Sequence, residues 1–196
     1  MKKKLISLAL LVILLSLMAL GSTAYFTYEG RATNVITTGA VVMELEEMQL
    51  VDGVEIPYPK GPITSVMPGR TISKIPYVVA GADTQPFYTR MQVNTIVTLA
   101  DGTPVDTAEA DRYFQLNYDT ENWEQSSDGW WYYLGQLDAG QRVALFTQVT
   151  IAPELPNAYQ NCRVVIDVTA QATQVKNNPV HDGDYTVIMG WPEDTK

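Results

Sequence analysis

Three runs of the chain alternate apolar and polar side chains with a period of two, the spacing that sends successive residues to opposite faces of a strand. In Cys162 to Gln174, Cys162, Val164, Ile166, Val168, Ala170 and Ala172 share one face, Arg163, Asp167, Thr169, Gln171 and Thr173 share the other, and only Val165 breaks the pattern. Arg90 to Leu99 repeats it, with Met91, Val93, Val97 and Leu99 inward and Arg90, Gln92, Asn94 and Thr98 outward. From Val143 to Ile151 the apolar face is Val143, Leu145, Val149 and Ile151, which predicts one continuous strand. Strands with one polar face suit an antiparallel sheet better than a parallel sheet buried on both sides.

Turn residues punctuate these runs at Asp52-Gly53, Pro59 to Pro62, Pro68-Gly69, Asp101-Gly102, Asp128-Gly129, Ala139-Gly140, Pro153, Pro156 and Asn177 to Pro179. They leave little room for helices, and only Asp106 to Tyr113 predicts a helical turn, with Asp106 or Thr107 as its N-cap. Many short strands between regular turns predict an all-β chain, a β-sandwich of Greek-key or jelly-roll type. Asn177 to Lys196 reads as a tail leaving the sandwich, in which "DYTVIMGW" has the composition of an added edge strand.

The N-terminus breaks the alternation. Lys2, Lys3 and Lys4 precede Leu5 to Leu20, an apolar run interrupted only by Ser7 and Ser16. A spanning helix needs roughly 20 apolar residues, so this shorter run predicts a signal segment and an exported protein. Ala19 and Gly21 flank Leu20 in the pattern an ordinary signal peptidase accepts, predicting cleavage before Ser22.

Charge and chemistry narrow the function classes. The 196-residue chain carries a net charge of −9, and its leader holds three Lys and no acid, so the exported part is more acidic still. Such a surface repels phosphate backbones and argues against nucleic acid binding. Cys162 is the sole cysteine, which excludes an internal disulfide and reads as a small buried apolar residue. His181 is the sole histidine, so neither a two-histidine zinc motif nor a supported Ser-His-Asp triad can be built. No catalytic, cofactor or metal residue is assigned, and the chain reads as a non-enzyme.

Two clusters remain. "NWEQSSDGWWYYLGQL" predicts a hairpin turning at Asp128-Gly129, and Trp123, Trp130 and Trp131 on it are candidate glycan contacts, or core and cross-strand packing residues. Of the acids Glu44, Glu46 and Glu47, alternation puts Glu44 and Glu46 on the outer face of a strand with Val42, with a bulge expected at Glu47 and Met48; the cluster reads as a solvated strand face, or as calcium ligands if a loop supplied more oxygens.

Taken together, "AYF", "TNVITTGAVVMELEE", "VMPGRTISKIPYVVAGA", "GWWYYLGQLDAGQRVALFTQVTI" and "YQNCRVVIDVTAQATQVKNN" resemble, in order, the TasA/camelysin family of exported proteins of Gram-positive bacteria. The resemblance implies a jelly-roll sandwich and a SipW-type signal peptidase that cuts between Tyr25 and Phe26, instead of before Ser22. The implied division is a signal peptide at 1–25, a jelly-roll domain at 26–176 and a C-terminal tail at 177–196. It further implies a secreted biofilm matrix or cell-surface fibre subunit, in contact with membrane only before cleavage, that polymerises head to tail with itself and has an accessory matrix or anchor protein as a candidate partner. There the segment 26–38 acts as a donor strand led by Phe26, Thr27 and Tyr28, with Val35 and Ile36 near its junction with the sandwich. Camelysin-like members carry a metallopeptidase label, which a chain with one histidine supports poorly. The Pro-rich "PYPKGP" and the Trp-rich hairpin depart from the fibre-forming members.

Overall fold

The computed structural model describes residues 41–59 and 67–192 in full and residues 27–33 as backbone. In chain order the strands are β1 (Thr27–Thr33), β2 (Met43–Val51), β3 (Val54–Pro57), β4 (Thr71–Ser73), β5 (Ile75–Ala80) and β6 (Phe87–Thr98). Helix α1 (Thr107–Tyr113) follows, then β7 (Phe114–Leu116), β8 (Trp123–Gln125), β9 (Trp131–Tyr133), β10 (Arg142–Ala144), β11 (Gln148–Ile151), a 3₁₀ turn (Asn157–Tyr159) and β12 (Arg163–Gln174). They form a five-stranded sheet in the order β1-β12-β6-β9-β8, a four-stranded sheet β10-β5-β2-β3, and a three-stranded sheet β4-β11-β7. The chain is thus all-β, and every pairing among the described strands is antiparallel except that of β1 with β12.

The central pair is β6 and β12. All twelve residues of β12 pair with β6, from Arg163 opposite Thr98 to Gln174 opposite Phe87. The inward set expected from alternation is buried: Cys162, Ile166, Val168, Ala170 and Ala172 expose none of their surface, and Val164 and Val97 almost none. Against them pack Met43, Leu45 and Val78 of the four-stranded sheet and Val149 and Ile151 of the three-stranded sheet, in one apolar core. Helix α1 begins at the expected Asp106, whose carboxylate accepts from the Ala108 N–H at 2.9 Å and satisfies a donor the helix leaves open.

Two expectations are corrected. Val143 to Ile151 is not one strand: β10 belongs to the four-stranded sheet and β11 to the three-stranded one. Consecutive Leu145 and Phe146 are both buried, which period two does not allow, because the chain leaves one sheet and enters the next at this point. Nor is there a bulge at Glu47 and Met48, since the register of β2 on β5 runs unbroken from Met43 opposite Ala80 to Met48 opposite Ile75. The β2–β3 hairpin closes at Asp52-Gly53, both with positive φ, the backbone of the tight turn whose twist matches its strands.

The C-terminal segment also differs from a tail leaving the sandwich. Residues 185–191 add no strand, and residues 175–192 fold back over the outer face of the five-stranded sheet. Tyr185 meets Tyr88 edge to face, Trp191 meets Tyr132 in the same way, and Ile188 is buried. The outer face of β12 is therefore not uniformly wet: Gln171 and Thr173, polar and outward by alternation, are 4% exposed.

Candidate functional site

Residues 1–25, Phe26, Val35 and Ile36 lie outside the described residues. Thr27 and Tyr28 open β1, which runs parallel to β12 with Thr27 opposite Arg163 and Thr33 opposite Thr169. This seven-residue strand is the rim of the five-stranded sheet. Without it, the same stretch of β12 would present a row of unpaired N–H and C=O groups, a template for another strand. β1 pairs with β12, also contacts β2, and precedes every other described element in the chain. Its removal therefore unthreads nothing, and it leaves the β6–β12 ladder whole.

The aromatic hairpin is as expected in outline. β8 and β9 pair antiparallel, and Trp130 C=O accepts from the Ser126 N–H at 2.9 Å. Trp123, Trp130 and Trp131, the candidate glycan contacts, are 1%, 5% and 8% exposed, so none offers an open ring face on which a sugar can stack. Trp123 donates Nε1–H to the Ala144 carbonyl at 2.9 Å and packs on Tyr133, while Trp131 stacks on Tyr118 with centroids 4.4 Å apart. Both lie in the core.

Trp130 and Tyr132 take the outer face, where Arg90 organises them. The guanidinium lies 4.3 Å from the Trp130 ring centroid and 4.7 Å from that of Trp191. It donates to Gln171 Oε1 through Nε and Nη2 and to the Tyr132 hydroxyl through Nη1. Tyr132 in turn donates to Asp128 at 2.7 Å, and its phenol is raised above the usual range, first by burial and then by that carboxylate. An aromatic enclosure of this kind suits a cation, and the protein's own Arg90 fills it. Period two places these residues on one face, but the covering strap that buries them comes from Trp191, far along the chain.

A second charged cluster escaped sequence reasoning. Lys74, between β4 and β5, exposes none of its side chain, and its Nζ contacts Glu47 Oε1 on β2. The Tyr58 ring centroid is 4.3 Å from Nζ. Burial pulls the Lys74 ammonium below the usual lysine range, and the charges of Glu47 and Asp167 partly oppose this. The sequence signal was weak: Ser73 and Lys74 lie between the apolar Ile72 and Ile75, and a solvated lysine is the ordinary expectation there.

The remaining polar surface is less organised. An open cleft of about 600 Å³ is lined by Asn117, Asp119, Glu121, Arg142 and Thr147 among others. Asn117 is engaged with Thr147 and Gln148, and Asp119 accepts from Glu121 and Asn122. These side chains tie loops together instead of converging on a ligand. Of the acidic run, Glu44 is exposed and Glu46 half-buried on the outer face, as expected, whereas Glu47 points to Lys74. His181 sits in the turn at Asp182-Gly183, paired through backbone with Asp184. Among the described residues no three His, Cys, Asp or Glu side chains are grouped to hold a metal ion, and no helix is long and apolar enough to cross a membrane. Burial pushes the Cys162 thiol up to about 12, which suppresses its nucleophilic thiolate. No protein-family model matches the chain, and no curated protein matches it.

Proposed function

We propose that this chain is a secreted structural protein, a jelly-roll β-sandwich whose copies build extracellular matrix or cell-surface fibres head to tail by donor-strand complementation. The observation that carries the reading is β1, a parallel strand laid along the rim of an otherwise antiparallel set of described sheets. In this reading the rim of β12 between Arg163 and Thr169 is the acceptor. A chain's own 26–38 segment fills it before assembly, and a neighbour's segment replaces it in the fibre. Backbone hydrogen bonds along the added strand give affinity, and alternate side chains give register. Donor and acceptor are different surfaces, so the contact repeats without closing. The leader holds the segment at the membrane until the SipW-type peptidase cuts, which couples release to assembly.

Electron microscopy of purified protein beginning at Phe26 tests this. Fibres from that form and dispersed monomers from a form beginning at Asn34 are the expected pair. Monomers from both forms under all solution conditions overturn the reading.

A further inference from the structure

Lys74 is held where two sheets meet. β4, just before it, pairs with β11 in the three-stranded sheet, and β5, just after it, pairs with β2 in the four-stranded sheet. Its backbone N–H donates to the Thr147 carbonyl at 3.1 Å, fixing the residue at the crossover. The side chain enters the protein and brings Nζ against the Glu47 carboxylate, whose side chain is 12% exposed. Tyr58 closes the site from one side, and its own N–H donates to the Glu47 carbonyl at 2.8 Å, so ring and carboxylate are positioned together. Asp167 supplies a second carboxyl whose charge reaches Lys74, and its Oδ1 is buried without a hydrogen-bond partner.

As an ion pair this arrangement is costly. Moving an ammonium and a carboxylate out of water carries a penalty that their attraction often fails to recover. It is, however, a favourable arrangement for condensation: an amine and a carboxyl held together, with bulk water kept from the amine. We propose that Lys74 and Glu47 become joined by an intramolecular isopeptide bond.

Proton transfer within the ion pair, from Lys74 Nζ to the Glu47 carboxylate, gives an amine and a carboxylic acid, and the nitrogen then attacks Cδ. A second proton passes from that nitrogen to the departing hydroxyl; the N–C bond forms, a C–O bond breaks, and one water leaves. Amine plus carboxylic acid gives amide plus water, with no change of oxidation state and no co-reactant. The lowered pKa of Lys74 favours the neutral nucleophile. The product removes both charges from the interior and staples β2 to the β4–β5 junction across a sequence separation of 27. Closing that loop restricts the unfolded chain, as a disulfide does, in a protein whose single cysteine cannot form one internally. The proposal is independent of fibre assembly.

Intact-mass spectrometry of the purified full-length product, with its N-terminus read separately from peptides, is the test. The expected mass is one water below that of the sequence, with a branched peptide joining the Lys74 and Glu47 segments. Lys74→Arg and Glu47→Ala should each restore the full mass. Asp-Gly sequences can also lose water by forming succinimides, so a deficit that persists in Lys74→Arg overturns the proposal. So does a folded wild-type protein with its full mass, a result that needs no variant to fold.

Discussion

β12 has two neighbours, and they hold it in different ways. On one side, β6 pairs with it along its whole length, antiparallel, with Met91, Val97, Ile166 and Val168 buried beneath the ladder. On the other, β1 covers seven residues in parallel, with Gly30 at its centre. Glycine brings no side chain to pack and gives up more backbone freedom when it is ordered. The first side is the framework, to which the core is attached. The second is an edge, where a seven-residue strand ends the sheet. Two ladders on one strand can thus differ in both length and direction.

The largest expected effect is on the framework side. Ile166→Ala leaves a cavity beneath the β6–β12 ladder and should cost about 2–5 kcal/mol, read as a lower urea midpoint with an unchanged slope. Starting the chain at Asn34 removes β1 instead. It should abolish fibres while lowering the urea midpoint less than Ile166→Ala does, and an equal or larger loss would erase the distinction between the two sides.

Cys162, at the entry to β12, sharpens the comparison through pH. Its folded pKa of about 12 lies above the reference value of 9.0. The thiol's contribution is therefore fully present below pH 9 and is lost as pH rises from there toward 12. Cys162→Ala should flatten the alkaline limb of stability over that window, and native Cys162 should resist a thiol reagent at pH 8 until the protein is unfolded.

The smallest effect belongs to the outer face of the four-stranded sheet. There Arg142 and Tyr77 both donate to Glu55 and hold its carboxyl below the usual range, Tyr77 being the larger influence. A depressed carboxyl gives stability that is present above its unfolded pKa near 4.5 and is lost as pH falls through the lower folded value. Glu55→Gln should flatten that acid limb slightly in thermal melts. Arg142→Ala should shift thermal stability only marginally, because the pair is solvated.

Much of the framework was legible from the sequence. The alternation in Cys162 to Gln174 predicted the buried face of β12 residue by residue, and Asp106 and Asp128-Gly129 announced a cap and a turn, because each of these features depends on neighbours in the chain. The break between β10 and β11 was not legible: Val143 to Ile151 keeps the right period on both sides of Leu145 and Phe146, and only the change of sheet explains why both are buried. The tryptophans show the same limit. Period two separates Trp130 from Trp131, but it cannot say that Trp191 and Arg90 close over the outer one.

The sequence by itself determined the strand-rich composition, the inner faces, the turns and the acidic, histidine-poor surface. These follow from local periodicity and residue chemistry, which act over a few positions. Only the tertiary structure decided that β1 would lie parallel on β12, that the C-terminal segment would fold back over the sheet, and that Lys74 would meet Glu47 out of water. Each of those depends on which distant segments share a volume, and pattern along a chain carries no information about that.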